Sequence, residues 1–145
     1  MGARYFALII GILYLLGGVL GFIPATNPLP AGAADTNLAV NAGYGYVLGL
    51  FPVNVLHNIV HLAVGALGIA AYRSFNGART FARGLALFYG LLAIMGLLPL
   101  TNTTFGLIPI FGNDVWLHAL TALPAAYFGF VGARERAEFV DASRR

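Results

Sequence analysis

The sequence predicts an all-α membrane protein, with four transmembrane helices folded as two tandem helical hairpins under parallel pseudo-twofold symmetry. Three observations lead there. Hydrophobic residues make up 59% of the 145-residue chain and charged residues 9%, against the roughly 25% charged of soluble domains. The apolar residues fall in long continuous runs, with no alternation of period two. The first half of the chain also repeats in the second.

A hydrocarbon core about 30 Å thick is crossed by about 20 helical residues. The candidate spans are Tyr5–Ile23, Val53–Tyr72, Gly84–Leu100 and Val115–Gly132. The third is the shortest, and the preceding "TFAR" is its natural extension. Helices suit lipid because they satisfy their own backbone hydrogen bonds. The first segment lacks a small-x-small cleavage site before Pro24 and three more spans follow, so it reads as retained rather than as a signal peptide.

Arginines set the orientation. Arg4 precedes the first span, Arg73, Arg79 and Arg83 lie between the second and third, and Arg134, Arg136, Arg144 and Arg145 follow the fourth. The connections 24–52 and 101–114 carry no arginine, only Asp35 and Asp114. Positive charge collects on the cytoplasmic side, so both termini are expected there. This makes the net charge of +3 a matter of anchoring, with no nucleic-acid partner. Residues 1–132 form the bundle and 133–145 a cytoplasmic tail, read as a short solvated helical extension.

Set over one another, "RYFALIIGILYLLGGVLGFIPATN" (4–27) and "RTFARGLALFYGLLAIMGLLPLTN" (79–102) agree at nine of 24 positions without a gap. The identities include Tyr14/Tyr89, Gly21/Gly96 and a shared Pro-x-Thr-Asn ending. "GLFP" (49–52) pairs with "GLIP" (106–109), and after a short offset Leu56-His57 pairs with Leu117-His118. Repeat 1 is therefore 4–73 and repeat 2 is 79–134, two hairpins of the same orientation. His61 has no mate; its counterpart is Ala122.

Gly17 and Gly21 have the small-xxx-small spacing that lets helices approach closely, and Gly65/Gly68 and Gly129/Gly132 serve similarly. Packing within the bundle is the first use of such a stripe; a homo-oligomer is the alternative. Pro124 should kink the last span. Tyr44, Tyr46, Phe51, Phe105, Phe111 and Trp116 read as an interfacial aromatic belt. Asn113 and Asp114 look like helix N-cap signals.

The chemistry, if any, lies with the three histidines. Residues three or four apart are neighbours on a helix, so Asn54, His57 and His61 form one stripe and Asp114 and His118 another. Ionisable groups inside a span are costly and face the bundle interior. One reading is a metal site of His57, His61, His118 and Asp114, a ligand set for Zn, Cu or Fe. A second is haem or chlorophyll ligated by His57 and His118, and a third is proton handling or quinone contact. The fourth, favoured here, is structural: the imidazoles hydrogen-bond to Asn54, Asn58, Asp114 or loop carbonyls and pin the connections to the bundle.

Other chemistry finds no support. The chain has no cysteine, hence no disulfide, thiolate site or thiol nucleophile. Its two serines, Ser74 and Ser143, stand beside no histidine, and no strand is predicted to precede a phosphate loop. No catalytic residue is assigned, and the sequence leans away from an enzyme. "NVLHNIVHLAVGALGIAAYR" followed by "GLIPIFGNDVWLHALTALPAAYFGF" resembles the family catalogued as DUF4383, over roughly residues 4–132. Its Asn-x-x-His-x-x-x-His-Leu and "GNDVWLH" stretches are the most specific. That resemblance implies a small four-helix protein of the bacterial inner membrane and no established activity. The expected role is a non-enzymatic integral membrane protein, structural or accessory to a larger membrane assembly. The alternative is a histidine-based cofactor or metal binder, redox or quinone linked.

Overall fold

Residues 2–30 and 37–132 are described by a computed structural model. In chain order it comprises α1 (Gly2–Gly21), a 3-10 turn (Pro24–Thr26), β1 (Gly45–Val47), β2 (Phe51–Val53), α2 (Val55–Ala71), α3 (Phe75–Leu97) and α4 (Asn113–Ala126). A π-helical turn, Tyr127–Val131, continues α4. The tail with Arg134, Arg136, Arg144 and Arg145, and its expected helical extension, lies outside the described residues, as does Asp35.

Small residues decide how the helices meet. The buried face of α1 includes Ala3, Ala7, Gly11, Tyr14, Gly18 and Gly21, steps of three and four residues that keep one stripe inward. That stripe packs chiefly on α2, and α3 chiefly on α4. A Cβ at Gly65 would stand 2.6 Å from the Leu15 nitrogen, and one at Gly11 would stand 2.8 Å from the Ile69 nitrogen. The helix backbones therefore touch where only hydrogen fits. Gly17, expected in this contact, has His61 Nδ1 at 3.8 Å from its Cβ position, an ordinary distance. The working stripe is instead Gly11, Gly18 and Gly21 against Gly65, Gly68 and Asn58. Gly17 sits one residue around the helix, about 100° away.

The third helix begins earlier than expected. Ser74 caps it, its Oγ accepting from the Gly77 N–H at 3.0 Å. The inward face then runs through Ala78, Ala82, Leu85, Tyr89 and Gly96, so "TFAR" is helix as expected and the helix reaches back beyond it to Phe75. Arg79 and Arg83 thus lie along α3, where their Nε atoms donate to the Gly129 carbonyl at 3.2 and 2.9 Å. Pro124 has no N–H to give and a π turn follows it, a widening that takes backbone carbonyls out of the regular ladder. At the same end Arg4 Nε donates to the Tyr72 carbonyl at 2.7 Å, its guanidinium 4.8 Å from the Tyr72 ring centre.

Strands are present where none was expected. β1 and β2 pair antiparallel with Gly45 opposite Val53, Tyr46 opposite Pro52 and Val47 opposite Phe51. Val53, expected to open the second span, ends β2. A two-stranded ribbon is all edge, so Pro52 removes no needed donor. Gly49 takes φ +72° in the tight connection, which glycine adopts without steric cost.

The repeated endings make the same local bond: Thr26 Oγ1 donates to Leu20 O at 2.7 Å and Thr101 Oγ1 to Met95 O at 2.8 Å. Large apolar side chains lie on the surface as well as in the core of Phe6, Tyr14, Leu85 and Tyr89. Ile9, Leu13, Leu16, Leu87, Leu91, Ile94, Leu120 and Leu123 are all more than half exposed. The buried polar residues are Asn54, His57, Asn58, His61, Asp114, His118 and Thr121. By length and composition, α1 and α3 are sufficient to cross a membrane, and α2 is a shorter apolar helix of 17 residues.

Candidate functional site

The site lies at the end of the bundle opposite the described arginines, and Asn54 builds its roof. Asn54 is extended, at φ −140°, and caps α2 by accepting the His57 N–H at 2.9 Å. Its amide nitrogen donates to Val40 O at 2.9 Å and Leu107 O at 2.7 Å. One side chain therefore ties both long connections, α1–α2 and α3–α4, to the head of α2. The connections also join each other, Ala39 N donating to Gly106 O at 2.8 Å.

Asn54→Ala removes a cap worth about 0.5–2 kcal/mol and frees two carbonyls. We expect a loss of about 1–3 kcal/mol, mostly the cap, since the two carbonyls sit on half-buried Val40 and exposed Leu107 and can turn to water. Faster amide exchange in both connections, with the far end of the bundle unchanged, is the measurement.

Helix α4 is capped differently from expectation. Its N-cap is Gly112, at φ +62°, with no side-chain cap bond. Asn113 instead donates to Leu50 O at 3.2 Å, and Asp114 enters the first turn fully buried. This places Asp114 one turn before His118, facing the first turns of α2.

There the sequence-expected residues converge. One ligand atom each from His57, Asp114 and His118 lie within 4.8 Å of one another, and His57 Nδ1 is 3.7 Å from Asp114 Oδ2. The His57 and His118 ring centres are 6.2 Å apart. His61 packs against His57, ring centres 4.3 Å apart, but lies outside the converging group. All four are buried.

Most of the hydrogen bonds expected of these groups are not formed; the loop-backbone contact is met only at His57. His57 Nδ1, both His118 nitrogens, His61 Nε2 and both Asp114 oxygens are buried without a hydrogen-bond partner. Asn54 is committed to the roof, and the Asn58 amide is itself unpartnered. Backbone from Pro52 and Pro109, matching positions of the two repeats, reaches His57. Each unmade bond costs about 1–3 kcal/mol, more for a charged group, so several in one place are a large standing penalty.

Two tyrosines not assigned to the site from sequence complete it. The Tyr14 ring stands edge-on to His61 at 5.0 Å, and its hydroxyl shares a 2.9 Å hydrogen bond with Thr121 Oγ1. Tyr89 lies 5.0 Å from both Tyr14 and His118. Their identity across the repeat was the signal that could have found them. Beside the imidazoles is a cavity of about 190 Å³.

Two imidazoles and a carboxylate that converge, buried and unpartnered, are suited to gripping a cation. Nitrogen and oxygen donors at about 2.0–2.2 Å from a tetrahedral Zn²⁺ stand roughly 3.4 Å apart, so side-chain rotations of about an ångström would close the group on an ion.

The model of the family described as "Domain of unknown function (DUF4383)" matches residues 4–131. No curated protein and no solved structure matches the chain.

Proposed function

The chain belongs to the DUF4383 family, whose description carries no activity, and we propose from its own geometry that it is a multi-pass integral membrane protein holding a divalent transition-metal ion. The carrying observation is the group of His57, Asp114 and His118, convergent within 4.8 Å and buried, with His57 Nδ1, both His118 nitrogens and both Asp114 oxygens lacking hydrogen-bond partners. An ion satisfies these atoms at once. Imidazole and carboxylate together suit the Zn, Fe and Cu class. His61 stands behind His57 as a supporting group, not a ligand.

Lipid is the solvent that accounts for the outward face. Large exposed apolar surfaces mark membrane or partner contact, and here they cover every helix while Asn54, His57, Asn58, His61, Asp114, His118 and Thr121 turn inward. The paired Thr26 and Thr101 bonds and the central Tyr14–Tyr89 contact support a pseudo-twofold between the hairpins. The arginine-bearing end is then cytoplasmic and the roof periplasmic, in a bacterial inner membrane. Because the chain has no cysteine, single cysteines test this cleanly. Leu50→Cys is expected to react with an impermeant maleimide in intact cells, and Asn76→Cys only after permeabilisation. The reverse pattern overturns the orientation.

A tetrapyrrole fits less well than an ion. Cavities for drug-sized ligands run from about 300 Å³ upward, and the space beside His57 and His118 is about 190 Å³.

The test is metal content. Protein purified in mild detergent, stripped with chelator and reloaded with Zn²⁺, Fe²⁺ or Cu²⁺, is expected to retain one ion per chain and to melt at higher temperature when loaded. A chain that binds none of the three, and copurifies with a larger complex, returns the structural or accessory role favoured from sequence.

A further inference from the structure

The cavity beside the histidines is more than packing slack. Its walls come from α2, α3, α4 and the second connection, with Val60, Phe88, Leu92, Ile108 and Ile110 among them. On one side stand His57, His61 and His118. Of these, His61 Nε2 and both His118 nitrogens are buried without a partner. Phe88 is 45% exposed, and Val60 and Leu92 are half-buried. The mouth therefore opens on the lateral face between α2 and α3, two helices that touch only sparsely. On the membrane reading above, that face meets lipid and not water.

Size and lining narrow the occupant. An apolar cavity of about 150 Å³ stays dry and takes benzene, so about 190 Å³ admits one six-membered ring with a small substituent. Away from the imidazoles the walls are mostly apolar and disfavour a charged organic ligand, whose desolvation they do not offset. An orphaned imidazole nitrogen asks for a hydrogen-bonding partner, and a neutral imidazole offers one donor and one acceptor. A hydroxyl group matches either.

We propose that this chamber binds an uncharged, hydroxylated aromatic ring arriving from the bilayer, the head-group chemistry of lipid-soluble phenols and quinols, with its oxygen against His61. Because His61 lies outside the converging metal group, the chamber keeps its polar wall with or without an ion. The inference rests on the membrane reading for the route of entry and not on metal binding.

Phenol and benzene are the probes, titrated by ligand-observed NMR into stripped and metal-loaded protein in lipid nanodiscs, with empty nanodiscs as the partition reference. Phenol is expected to bind at least tenfold more tightly than benzene in both forms. In His61→Ala the ratio is expected to fall severalfold, the remainder resting on His118 and the Tyr89 hydroxyl on the same wall, while benzene still binds, which shows the chamber intact. Equal affinities in the native chain, binding of neither probe, or an unchanged ratio in His61→Ala overturns the proposal. Should His61→Ala not fold, Leu92→Trp fills the mouth from a half-buried position. Loss of phenol binding then supports the site, and retention overturns it. Stripped protein that binds phenol but never retains an ion would sink the metal reading alone.

Discussion

Asp114→Asn is expected to abolish metal retention while leaving the metal-free protein at least as stable as the native chain. The two effects have opposite signs because one carboxylate serves two states. In the loaded protein it supplies an anionic ligand, and an amide is a far poorer one. Even changes to groups that merely orient ligands cost about 10–100-fold in metal affinity, so losing one of three ligands should exceed that. In the metal-free protein the same carboxylate is fully buried with neither oxygen hydrogen-bonded. Asparagine has nearly its shape, and a buried carboxyl with no hydrogen bond and only the His57 Nδ1 at 3.7 Å beside it gains little from its charge, whose burial is costly. The measurement is melting temperature with and without metal for both chains. Native protein should show a large metal-dependent rise and Asp114→Asn none. If Asp114→Asn melts well below the native chain in the stripped state, the carboxylate is held by hydrogen bonds after all and the site reading fails.

Gly65→Leu should prevent the first hairpin from closing. A side chain at Gly65 meets Leu15 N at 2.6 Å and Gly11 O at 2.8 Å. Both are backbone atoms of a continuous helix and cannot swing aside. Overpacking costs about 1–3 kcal/mol where side chains can adjust; here the adjustment is a separation of two helices, so about 3 kcal/mol or more is expected. Gly84→Leu is the control. Nothing lies within 4 Å of a Cβ there, the position is exposed, and leucine is the better helix former by a little under about 1 kcal/mol. Melting in detergent should show the first variant grossly destabilised or unfolded and the second unchanged or slightly improved. Similar behaviour of the two would mean that the close crossing of α1 and α2 does not hold the bundle.

These two residues also mark what could be read before the structure was known. The four helices were legible because their apolar runs are long and uninterrupted. The repeat placed His57 and His118 at the same end, and helical spacing put Asp114, which has no mate in the first half, on the face of His118; the same spacing also grouped His61, which the converging set leaves out. The glycine stripe was misassigned by one position: Gly17 and Gly18 are adjacent letters, yet only one of them points at the neighbouring helix. The start of α3 was masked by Arg79 and Arg83, which look like flanking charges but reach a carbonyl on the next element. The short β-ribbon could not be anticipated, since Gly45, Gly49 and Pro52 are poor strand formers and its pairing depends on how the connection folds back. His61 shares its helix face with His57, and only coordinates separate it from the ligand group. The asparagines show the same limit. Asn54 and Asn58 are alike in sequence, but one holds the roof together and the other meets the close approach of Gly21.

The acceptor at Gly129 carries a further implication. Two guanidinium groups, four residues apart on α3, serve a single oxygen there, and the loss of either leaves the other in post. That junction is doubly held but not symmetric: Arg83 also stands 5.3 Å from the Phe130 ring centre, so the loss of Arg79 alone is expected to disturb it less than the loss of Arg83.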